Sequence, residues 1–79
     1  MKKEHHICMV QGLEYYSFTV LTPKDTEIDY VHKQIFQAMV KVINPDWDGT
    51  PEGAIKFACM RNNWEYNEPK ILVVPEGFF

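Results

Sequence analysis

Apolar and polar positions follow a two-residue period at the start of the chain and switch to a helical period after Pro23. Residues 5–10 (His-His-Ile-Cys-Met-Val) and 13–22 (Leu-Glu-Tyr-Tyr-Ser-Phe-Thr-Val-Leu-Thr) are rich in β-branched and aromatic side chains. Gln11-Gly12 between them reads as a tight turn, so the pattern predicts an antiparallel hairpin. In the second strand Tyr16, Phe18 and Val20 share the better core face. Tyr15, Ser17, Thr19 and Leu21 share the opposite, amphipathic face.

Beyond Pro23, Ile28, Val31, Ile35, Phe36, Met39, Val42 and Ile43 recur at helical spacing until Asn44-Pro45. The expectation is a long helix over residues 26–43, capped by Asp25 or Thr26, with Glu27 and Asp29 in its first turn. Thr50-Pro51-Glu52 has the signature of a second helix start: a capping hydroxyl, a proline at the first position, then a carboxylate. A short helix over 51–61 follows, with Ala54 and Ala58 offering a small face for close packing. Ile55, Phe57 and Cys59 also alternate, which keeps a strand as the competing reading of residues 54–60. Residues 62–69 read as a loop. Lys70–Val74 is an apolar run of strand length, expected at the centre of the sheet and ended by Pro75 and Gly77.

The order strand, strand, helix, short helix, strand predicts an α+β two-layer sandwich. Three mainly antiparallel strands (ββααβ) would carry one long and one short helix on one face, with ββαββ as the alternative. The other face of the sheet would then lack a cover within the chain.

Length makes that uncovered face more significant. The chain has 79 residues, read as a single small domain over 1–79. A chain this short buries only roughly 60% of its unfolded surface, so little is left to build a deep pocket. Apolar residues at 46% and charged residues at 24% exclude disorder and collagen-like repeats. No run of spanning length suggests a membrane helix. The start, Met-Lys-Lys-Glu-His-His, is followed by no apolar run of signal-peptide length, so a cytoplasmic, reducing setting is expected, with Cys8 and Cys59 as free thiols. The net charge of −3, with Lys2-Lys3 the only local basic excess, argues against direct binding of nucleic acid or an anionic membrane.

Motifs for chemistry are sparse. No Gly-x-Ser-x-Gly elbow and no phosphate-cradling glycine loop is present, and the carboxylates sit at turns and helix starts, where capping explains them. Catalysis and cofactors are therefore not expected. His6 and Cys8 share a strand face, and His32 and Cys59 are further soft ligands, but no paired zinc motif joins them. Asp46-x-Asp48-Gly49 resembles a fragment of a calcium loop without its remaining acidic positions. His32 falls inside the apolar arc of the long helix, where its ring nitrogens would need partners, whereas Tyr30 falls outside it with Lys33, Gln37 and Lys41. Phe78 and Phe79 would pack on the open sheet face or dock into a partner.

These features point to a small acidic protein–protein interaction module. Tyr30, Asp46, Trp47, Asp48, Trp64, Glu65, Tyr66 and Glu68 are the candidate partner-binding residues, an aromatic and acidic set carried mostly by loops. An acidic face of this kind suits an inhibitor that occupies the basic groove of a nucleic-acid-handling or host-defence enzyme, as mobile elements such as phages encode. The alternative is a homodimeric small-molecule-binding module with His32, Tyr16 and Trp64 lining a shared pocket.

Overall fold

A computed structural model describes residues 1–67 and the backbone of residues 70–73. Strands β1 (Lys2–Gln11) and β2 (Glu14–Pro23) form the hairpin, followed by helices α1 (Ile28–Gln37) and α2 (Pro51–Asn62). Two short strands, β3 (Glu65–Tyr66) and β4 (Lys70–Val73), complete the sheet. The α+β arrangement expected from the sequence is present. Segment 54–60 is helical, because the Thr50 start signal outweighs the local alternation.

Gly12 and Leu13, one residue later than expected, make the hairpin turn: Gln11 pairs with Glu14. Gly12 has φ +62° and Leu13 does not share the positive sign, which is the pattern of a type II′ turn. All pairings of β2 are antiparallel. β3 joins Val20 and Leu21, while β4 joins residues 14–17 on the same side of β2. The sheet is thus three lanes wide, with its third lane in two segments. β2 is the central strand, and the apolar run at 70–73 is at the edge, contrary to expectation. Backbone pairing decides lane order, and an apolar run does not specify it. Part of the expected 62–69 loop is strand β3.

Register places His5, Ile7 and Met9 with Val20, Phe18 and Tyr16 on the helix side. Phe18, Val20, Val31, Ala54, Ile55 and Ala58 are at most 1% exposed and form the centre of the core. Ala54 and Ala58 allow α2 to pack closely, as their spacing suggested. Asn62 ties the helices together: its amide donates to Gln34 Oε1 (2.9 Å) and to the Ala58 carbonyl (2.9 Å). The opposite face of the hairpin carries Glu4, His6 and Cys8, all exposed, and half-buried Tyr15, Ser17, Thr19 and Leu21. Among the described residues nothing covers it.

The first helix is shorter than the apolar period suggested. Its N-cap is Glu27, without a side-chain cap bond, in place of Asp25 or Thr26. At its other end the bonding tightens to Met39 N–H to Phe36 C=O and Val40 N–H to Gln37 C=O. Asn44, itself buried, donates through Nδ2 to the Ala38 carbonyl (2.9 Å) and folds residues 39–44 back on the helix end. Val40, Val42 and Ile43 are β-branched and would lose side-chain freedom in a helix. Their exposure (46%, 91% and 37%) shows that no burial compensates.

Candidate functional site

Residues 44–53 build a rigid corner ahead of α2. Trp47 N–H donates to the Asn44 carbonyl (3.1 Å), and Trp47 Nε1 donates to the Thr50 carbonyl (2.8 Å), so the indole lies against the helix start. Asp48 Oδ1 accepts from the Thr50 N–H (3.0 Å) and hydroxyl (2.7 Å). The Thr50 hydroxyl oxygen in turn accepts from the Gly53 N–H (3.1 Å), which is the expected N-cap. These bonds hold the Asp48 carboxyl below its usual pKa, the Thr50 hydroxyl foremost, then the Thr50 N–H, with the charge of Lys56 adding less. A Cβ at position 53 would stand 2.5 Å from Asp48 Oδ1, so only glycine lets the carboxylate approach the helix.

This corner is one wall of a cleft of about 500 Å³. Asn44, Asp46, Trp47 and Asp48 line it from the loop, and Tyr66 from β3. Gly53, Lys56, Phe57 and Met60 close it from α2. Four of the residues singled out in the sequence, Asp46, Trp47, Asp48 and Tyr66, therefore meet in one place. Trp47, Phe57 and Tyr66 are half-buried, and Met60 is 74% exposed. The result is an apolar, aromatic floor beside two carboxylates. The α2 contribution was overlooked in the sequence, although 53, 56, 57 and 60 have the spacing of one helix face.

The other candidates lie elsewhere. Trp64 is buried (9% exposed) because Asn63, with φ +57°, turns the chain back and lets the Trp64 N–H bond the Cys59 carbonyl (2.8 Å). It serves the core. Tyr30, 46% exposed on α1, packs edge-on against it with ring centroids 6.0 Å apart. Glu65 is exposed and paired with Lys2 Nζ (3.0 Å), outside the cleft. Glu68, Phe78 and Phe79 lie outside the described residues, as do Pro75 and Gly77.

His32 is exposed, as are Ile28 (38%) and Phe36 (66%) of the same apolar arc. It lines a shallow groove with Phe36 and Val40 and a smaller cavity with Ile7, Met9 and Ile35. Neither is lined by Tyr16 or Trp64. Tyr16 is buried, and its hydroxyl donates to the Glu14 carboxylate. The histidine that does enter the core is His5, 4% exposed, with Nε2 2.8 Å from the Thr22 hydroxyl.

Among the described residues no three His, Cys, Asp or Glu side chains group so as to hold a metal ion. Both cysteines are free: Cys8 is exposed on the open sheet face, whereas Cys59 is buried on the helix side, which pushes its thiol up to about 11. No helix among the described residues is long and apolar enough to cross a membrane. No known protein family, curated protein or solved structure matches this chain.

Proposed function

We propose that the protein is a small acidic protein–protein interaction module that engages a basic partner surface through the cleft between the 44–48 loop, α2 and Tyr66. The observation that carries this reading is the cleft itself. Its floor combines aromatic rings and methionine, the side chains enriched at interface cores, and its loop wall supplies Asp46 and Asp48. Rings held half-buried by the fold lose little freedom when a partner covers them. The net charge of −3 favours encounter with a basic surface. A nucleic-acid-handling or host-defence enzyme has such a surface where it holds phosphates, and blocking it would make this chain an inhibitor of the kind mobile elements encode.

Affinity capture from the native host, with wild type, Asp46→Asn and Met60→Lys compared side by side, tests the reading. Both positions are exposed, so the variants are expected to fold. Wild type should be monomeric and should retain a partner that salt releases, while the variants should lose it. The same partner on all three proteins would refute the cleft as the binding surface. A homodimer stabilised against heat by a metabolite would favour the small-molecule module instead.

A further inference from the structure

The cleft's charges are not equivalent, and the difference identifies what it takes. Asp48 is already engaged: its Oδ1 accepts two hydrogen bonds from Thr50, and Lys56 is the cation that acts on it. Asp46, on the same wall, is exposed and has no hydrogen bond or ion pair with any described residue. Beside it are the half-buried ring of Trp47 and, across the cleft, Tyr66 and Met60. A purely apolar occupant would cover Asp46 and leave a carboxylate desolvated without a partner, which is costly. An anionic occupant would meet two carboxylates against one ammonium. A cationic side chain with an apolar stem satisfies both parts of the site.

We infer that the cleft is an anchor site for an arginine side chain carried on a short linear segment of the partner protein. This rests on the cleft being the binding surface and adds the chemistry of its occupant. Arginine fits better than lysine because its planar guanidinium stacks on aromatic rings while its fork of donors reaches a carboxylate. The methylene stem then lies on Met60 and Phe57. A cleft of about 500 Å³ is in the size range of small-ligand pockets, which suits a few side chains of a linear segment rather than a broad domain face.

The test is selection of random linear peptides displayed on phage against the full chain, followed by titration of the enriched peptides. Arginine next to an apolar residue should be enriched, and binding should vanish on Met60→Lys, which removes the apolar contact and repels the guanidinium. Replacing that arginine by citrulline, which keeps the shape and removes the charge, should weaken binding about two- to fivefold or more. Asp46→Asn should weaken the arginine peptide by a similar factor and leave the citrulline peptide unchanged. Lysine in place of arginine should bind less tightly. Peptides that bind wild type but not Met60→Lys, yet show no dependence on arginine or Asp46, would overturn the arginine assignment and leave the cleft as the binding surface. Enriched peptides indifferent to Met60→Lys, or no enrichment at all, would overturn both.

Discussion

Thr22→Val should destabilise the fold through one buried hydrogen bond. Thr22 is fully buried at the end of the central strand, and its hydroxyl donates to the Pro23 carbonyl (3.1 Å). A hydroxyl has a single proton, so toward His5, 2.8 Å away, it acts as the acceptor and His5 Nε2–H is the donor. Valine keeps the shape and removes both bonds. The Pro23 carbonyl keeps its bond from the Thr26 N–H (3.0 Å), while His5, 4% exposed, does not recover its own. Leaving a buried donor unpaired costs about 1–3 kcal/mol. The added methyl returns roughly 0.8 kcal/mol. The net loss should be about 1 kcal/mol, which lowers Tm by roughly 4–8 °C in a domain of this size. Urea unfolding at pH 7.5, followed by far-UV circular dichroism, measures it as a shifted midpoint with an unchanged slope. Replacing both partners, His5→Met with Thr22→Val, removes the unpaired group and should recover most of the loss. The reasoning fails if Thr22→Val matches wild type, or if the double variant is no more stable than the single one.

Stability should fall on mild acidification: burial, then the nearby Lys3 and His32, hold the His5 imidazole below its usual pKa, with Glu27 pulling weakly the other way. The unfolded chain then binds the proton more readily, so this contribution is complete above about pH 6.5 and is lost as pH falls from there through the depressed folded value. The loss approaches at most about 1.4 kcal/mol per pH unit, and the His5→Met/Thr22→Val chain should show a flatter profile in paired urea titrations. Gly53→Ala should leave α2 formed but displace the Asp48 carboxylate from Thr50, which heteronuclear NMR would register as shifts confined to residues 46–57; an unperturbed Asp48 would contradict the close approach. Thr50→Ala should cost about 1 kcal/mol by leaving the Gly53 N–H uncapped, measurable by the same urea assay. Alkylation near pH 8 should label Cys8 alone in the native protein and both thiols in denaturant, read by intact mass; rapid native labelling of Cys59 would contradict its burial.

Local chemistry made the hairpin and α2 legible. A glycine at the turn and a Thr-Pro-Glu start each determine structure within a few residues. The end of α1 was not legible in the same way, because Asn44 ends it by reaching back to Ala38. Side-chain periodicity alone carried the reading on to Ile43. Likewise, an apolar run marks Lys70–Val73 as a strand but cannot say that it pairs at the edge of β2. At the candidate site the acidic loop and Tyr66 were legible by composition. Phe57 and Met60 were not, because apolar residues are spread around α2 and their pattern singles out no exposed face. The burial of Trp64 was not legible because it depends on the left-handed Asn63, a backbone state that asparagine tolerates but does not announce.

Site-specific photo-crosslinking measures the occupancy of the cleft most directly. A photoreactive residue is placed at Met60, 74% exposed within the cleft, and in a separate chain at Val42, 91% exposed and outside it. Both are irradiated in native-host extract. The account predicts a salt-sensitive protein adduct at position 60 that Asp46→Asn suppresses, and none at position 42. Adducts at position 42 without any at position 60 would contradict it.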